Sequence, residues 1–145
     1  MAPQPPALDL DEARKGLTDW FAPWVRDLGM QIEALDRGRV TVRVPASLHL
    51  NRVGGILSGQ AMMAIADTAM VFAVRSCTDP QNDIATVQQS TSFFRAVKDA
   101  DLICEVTVRK EGRSMMFGDC VMHADGQPDK PVAQATVVYA VIPRR

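Results

Sequence analysis

The run from Ser58 to Ser76 constrains this chain more than any other. It reads as one helix, and between Ala61 and Val74 only Asp67 and Thr68 are polar. A helix with no polar face is surrounded by protein, so the rest of the chain has to wrap it. At fourteen residues, with a carboxylate near its middle, the apolar stretch is too short and too polar to span a bilayer.

The flanking sequence supplies strands for the wrap. Val40, Val42 and Val44 alternate with Arg39, Thr41 and Arg43, the pattern of a strand with one wet face. Asp36-Arg37-Gly38 turns into it from a first strand over Leu28–Leu35, and Pro45 closes it. Four more strands are expected over Ile84–Phe94, Leu102–Arg109, Ser114–His123 and Val132–Ile142, with turns at Glu111-Gly112 and Asp125-Gly126. Ahead of them all, a helix is expected over Asp9–Phe21. Asp9, Asp11 and Glu12 crowd its positive end, and Pro23 is expected to stop it. Helix, two strands, buried helix, four strands is an α+β order, one antiparallel sheet around one long helix.

With 145 residues the chain fits one domain; residues 1–8 are expected to be a flexible N-terminus and 9–145 the domain. Sixteen basic against seventeen acidic residues leave a net charge of −1. That balance gives no footprint for nucleic acid or an anionic membrane. Cys77, Cys104 and Cys120 form no CxxC pair, and His49 and His123 sit at no ligand spacing, so no metal site is expected. The cysteines are expected to pack as small apolar groups, and His123, just before a turn, to lie at the surface. Met1–Leu8 has no signal-peptide character, and a reduced, cytoplasmic location is expected.

Asp67 is the residue that points to chemistry. An ionised carboxylate in apolar surroundings is costly unless bonded or paired, and mid-helix it gains little from the dipole. It is either a structural Asp in a hydrogen-bond network or a working group. The context favours work. The helix starts at Ser58-Gly59-Gln60 after a loop containing Gly54-Gly55, and free N–H groups at a helix start bind anions and developing oxyanions. Asp67 lies eight residues beyond Gly59, about 12 Å along the axis. A group held at the helix start is out of reach of the Asp67 on the same helix, but within reach of that of an antiparallel neighbour. Any chemistry should therefore be shared across a dimer.

The run His49-Leu50-Asn51-Arg52-Val53-Gly54-Gly55-Ile56-Leu57-Ser58-Gly59-Gln60, followed by Ala61 to Asp67, resembles the signature of hotdog-fold acyl-CoA thioesterases of the PaaI-like group. That signature has an Asn, a Gly, a His-Gly-Gly triplet, and an acidic residue nine positions after the His. Ser58 and Gln60 stand here in place of the His and the second Gly. The resemblance covers Leu28 to Ile142 and implies a hotdog fold, with the helix as sausage and the sheet as bun.

By this resemblance Asp67 is the general base or nucleophile and the Gly59 N–H polarises the thioester carbonyl. Thr86 helps hold the water, and Asn51 positions water or substrate. Ser58 can still cap the helix and Gln60 crowds the entrance with a larger polar side chain, both as candidates to contact substrate, while Arg95 and Arg113 are the better placed of several basic residues to hold coenzyme A phosphates. The substrate implied is a small-molecule acyl-CoA, with no metal or cofactor. The assembly implied is a homodimer, in which the polar strand Thr86–Ser92 pairs with its copy and lines the site, with dimers paired into a homotetramer. Two other readings remain at this point: a hotdog protein that binds an acyl ligand without turnover, and a hydratase, against which the lack of a suitably spaced His argues. Trp20 and Trp24 are expected to cover the end of the sheet or to close over an acyl chain.

Overall fold

A computed structural model describes residues 4–145. Helix α1 (Leu10–Asp19) opens with a capping box: Asp9 Oδ1 accepts the Glu12 N–H at 2.8 Å, and Glu12 Oε2 accepts the Asp9 N–H at 3.2 Å. Packing begins ahead of the helix, where the Ala7 N–H donates to Ser76 O at 2.8 Å and Leu8 is buried. The expected end of α1 is corrected. It stops at Asp19, and Pro23 opens the short helix α2 (Pro23–Arg26) instead of merely ending the first. Proline at the first helical position loses no hydrogen bond.

Strands β1 (Gln31–Asp36) and β2 (Arg39–Val44) form the first hairpin. A loop with one 3-10 turn (Leu48–Leu50) leads to α3 (Gly59–Arg75), which Ser58 and Ser76 cap. Strands β3 (Asp83–Phe93), β4 (Leu102–Glu111), β5 (Met115–Ala124) and β6 (Pro131–Ile142) complete one antiparallel sheet in the order β1-β2-β4-β5-β6-β3. The first strand starts at Gln31, because Leu28 and Met30 are spent as buried plugs beside the end of α2.

The sheet curls around α3 as expected, and Ile65, Ala66, Ala69, Met70, Phe72 and Ala73 are fully buried against it. At Gly118 on β5 a Cβ would stand 2.6 Å from the Met70 thioether, so a larger residue there would make the end of the Met70 side chain shift. Cys104 and Cys120 pack as small buried groups, as expected. His123 is not at the surface. It is buried, with Nδ1 3.0 Å from Ala124 O, because β5 runs one residue past it and the N-terminal end of β6 covers it. Among the described residues no helix is long and apolar enough to cross a membrane.

The two edges of the sheet differ. β1 is short and bulged at Glu33, and Arg14 from α1 donates to its Ile32 O at 3.0 Å. β3 is eleven residues long and mostly exposed, and among the described residues it pairs only with β6.

Candidate active site

α3 carries two sets of groups. The first is its start. The loop before it is closed by a bridge between Asn51 and Leu57 and by the Arg52 N–H on Ile56 O at 2.9 Å, with Gly54 and Gly55 both at positive φ. Ser58 Oγ accepts the Ala61 N–H at 3.1 Å, and the Ser58 N–H donates to Leu50 O at 3.1 Å. The N–H groups of Gly59 and Gln60 have no acceptor among the described residues. Such donors at the positive end of a helix are suited to an oxyanion. The ring of Phe93 lies 3.5 Å from where a Gly59 Cβ would be. A cavity of about 320 Å³ opens there between Arg52, Met62, Phe94 and Arg95.

The second set surrounds Asp67. Thr86 Oγ1 donates to Asp67 Oδ1 at 2.8 Å, and the Tyr139 hydroxyl donates to the same oxygen at 2.6 Å, with Asp67 O also 2.9 Å from it. Oδ2 has no partner among the described residues. One oxygen thus fixes the carboxylate, and the other is left for a proton or an electrophile. Tyr139 is 3% exposed. Its burial, and then the carboxylate beside it, push the phenol above its ordinary range, so it remains a donor.

Thr86 reaches Asp67 because of a register shift. β3 bulges at Val87, between Thr86 opposite Tyr139 and Gln88 opposite Val138. In a regular strand Thr86 and Gln89, three apart, would face opposite ways. The bulge puts both on the helix side, where Gln89 Nε2 donates to Met63 O at 3.1 Å. A groove of about 820 Å³ begins at Thr86 and Tyr139 and runs between α1 and the C-terminal half of α3, walled by Trp20, Phe21, Val71 and Ile84. Trp20 stacks on Phe72 with ring centroids 5.8 Å apart, so of the two tryptophans it is Trp20 that faces the groove.

Asp67, Thr86 and Tyr139 are therefore brought together, and Gly59, Gln60 and Ser58 form the separate helix start. Asn51 joins neither set by a hydrogen bond. Its Nδ2 donates to Gly55 O at 3.4 Å, and it faces a hollow of about 180 Å³ with Val44, Val97 and Leu102. Arg95 and Arg113 lie at opposite ends of the sheet. Arg95 Nη1 donates to Pro131 O at 2.6 Å, whereas Ser114, next to Arg113, accepts the Val141 N–H at 2.9 Å. Nine residues of β6 separate those positions, roughly 30 Å, so one chain does not bring both arginines to one phosphate.

Sequence reasoning missed Tyr139. The signal was present: it is the chain's only tyrosine, on the same face of β6 as Val137 and Val141, and a buried hydroxyl needs a partner. Gln89 had no such signal, since its orientation depends on the bulge.

The thioesterase superfamily pattern matches residues 54–131. A Thermoplasma acidophilum protein provisionally named an esterase, Ta0293, is 26% identical over 96 residues, covering 66% of this chain and 72% of its own. Among solved structures, TM1040_1390 of Silicibacter sp. TM1040, provisionally named a thioesterase, superposes with a TM-score of 0.85 at 28% identity, covering 95% of this chain and 94% of its own. Thioesterase HI1161 of Haemophilus influenzae shares the fold, with a TM-score of 0.84 at 17% identity over 94% of this chain and 92% of its own.

Proposed function

We propose, for a chain that belongs to the thioesterase superfamily and so to the thioester hydrolases, that it cleaves acyl-CoA at a site made by two copies of itself. Asp67 Oδ2 takes the proton of a water attacking the thioester carbonyl, or attacks that carbon itself. The carbonyl oxygen, gaining negative charge, is met by the free N–H groups of Gly59 and Gln60 of the partner subunit. The C–S bond then breaks and coenzyme A leaves as the thiol. The water route gives the free acid directly, whereas attack by Asp67 leaves an acyl–Asp67 anhydride that a water then hydrolyses to the free acid and the carboxylate. Thioesters need little activation, so one carboxylate and one or two aimed donors suffice.

The observation that carries this reading is the asymmetry of the Asp67 carboxylate, with Oδ1 accepting two hydrogen bonds and Oδ2 without a partner among the described residues. Two further features support a shared site. The donors and the base are about 12 Å apart on one rigid helix. The edge of β3 is open, and beside it Met63, Val87 and Phe93 are exposed. Laying two β3 edges side by side and antiparallel sets one helix start toward the other Asp67. The same arrangement takes Arg95 of one copy to the end of the sheet where Arg113 of the partner subunit lies, so together they would frame the coenzyme A phosphates. Hydrolysis of a panel of acyl-CoAs by the wild type and by Asp67→Asn tests the reading. It requires turnover by the first and near-complete loss in a folded second.

A further inference from the structure

Resting on the site proposed above, we infer that the groove beside Asp67 takes an acyl group whose far end carries a carboxylate, received by Arg75. Asp67, Val71 and Arg75 succeed one another at intervals of four and so lie along one stripe of α3. About 12 Å of helix separates the first from the last. Thr86 and Tyr139 stand at the Asp67 end of the groove, Leu8, Pro80 and Ile84 line it with Arg75, and Trp20 and Phe21 wall it. Its order is thus base, a channel with apolar side chains along α3 and the loop after it and charged ones on the α1 side, and cation.

Arg75 is half-buried, and its Nη1 donates to Asn82 O at 2.7 Å. Nε and Nη2 donate to nothing, and the guanidinium is in no ion pair, among the described residues. The carboxylate whose charge it feels, Asp83, is held by Arg144 at 2.7 Å. Burial works against the Arg75 charge, with Asp83 only partly offsetting it. Of the other charged groups lining the groove, Glu12 Oε2 is engaged by the Asp9 N–H, leaving Lys15 and Asp19. A half-buried guanidinium with Nε and Nη2 free to donate matches a carboxylate, which two parallel N–H bonds would hold. A last-turn arginine also complements the helix dipole, but that role needs only positive charge and lysine retains it.

The test compares two series of CoA thioesters, plain acyl and ω-carboxyacyl, each from about six to about twelve carbons, a range that brackets a 12 Å span. The wild type is expected to prefer the ω-carboxyacyl substrate of matching length by about tenfold or more in kcat/KM. Arg75→Gln should bring that ratio to about one by losing activity on the carboxylated substrate alone, chiefly through KM, while the plain acyl-CoA rate stays within about twofold. Arg75→Lys should fall between, and serves in place of Arg75→Gln if that variant does not fold. A wild type with no preference at any length, or a preference that survives both substitutions, overturns the inference. If no thioester of either series is cleaved, the hydrolytic reading fails. The inference is then read from binding of the paired analogues in which CH₂ replaces the thioester sulfur. Tighter binding of the carboxylated analogue that is lost in Arg75→Gln upholds it, and equal binding overturns it.

Discussion

The start of α3 and its middle do opposite things with hydrogen bonds. At the start, Ser58 satisfies Ala61, and the N–H groups of Gly59 and Gln60 have no acceptor among the described residues. Eight residues on, Asp67 is held by two hydroxyls from two strands on one oxygen. The start is backbone, shaped by where the loop ends. The middle is side chain, shaped by a bulge in β3 and a tyrosine on β6. An orphan donor gains by waiting for charge that appears only during reaction. A base gains by being aimed beforehand.

The most severe way to break this comparison is Asp67→Asn. The amide keeps the shape and both hydroxyl neighbours but cannot take a proton. Turnover is expected to fall by about 10²–10⁴-fold with the circular dichroism spectrum unchanged. Retained turnover would return Asp67 to a structural role, and unfolding would do the same.

At the other end of the comparison, Gly59→Pro deletes one orphan donor, and Gly59→Ala retains it. A Cβ at Gly59 meets Phe93 at 3.5 Å, an ordinary contact, so alanine fits. Proline is tolerated in a first turn. The proline variant is expected to lose roughly 10²–10³-fold in kcat and the alanine variant little, with similar melting temperatures. Equal rates in the two would remove the helix start from the chemistry.

Tyr139→Phe sharpens the middle. With Thr86 alone on Oδ1, kcat should drop about tenfold, near the lower range for a hydrogen bond to a charged group, with KM little changed. The phenol adds a pH signature. Its proton is bound more tightly in the folded state than in the unfolded one, where it leaves near pH about 10. The stability it contributes is therefore present below that pH and lost as pH rises above it. Denaturant midpoints measured above pH about 10 should fall more steeply for the wild type than for Tyr139→Phe, and parallel curves would place the phenol's titration elsewhere.

The smallest effect is expected from Asn51→Ala. Its amide is committed to Gly55 O, so kcat should change less than about threefold, with a loss of stability of at most about 1 kcal/mol. A large fall in kcat would mean that Asn51 reaches the substrate after all.

Much of this architecture was legible in the sequence. The apolar run with Ser58 before it and Ser76 after it set the limits of α3, because capping chemistry and burial point to the same residues. The valine alternation gave β2 its limits. Asp67 stood out because a lone carboxylate in such a run needs a reason. Legibility failed where position depends on residues distant in sequence. The bulge at Val87 leaves no mark in composition, so Gln89 was not foreseen on the helix side. His123 looked superficial because it precedes a turn, yet strand pairing buries it. Pro23 stops a helix or starts one by the same chemistry, and only the packing around it distinguishes the two.

The open edge of β3 ties the fate of this protein to how much of it is present. If a second copy must cover that edge for the base to meet its donors, dissociation removes activity and stability together, and both follow mass action. Specific activity should then decline on dilution and recover on concentration, and the melting temperature should rise with protein concentration. A strand rich in Gln, Ser and Thr suits such an edge. Its hydroxyls and amides keep the lone subunit wettable, the bulge at Val87 interrupts the edge, and its backbone groups remain free to pair with those of a second copy.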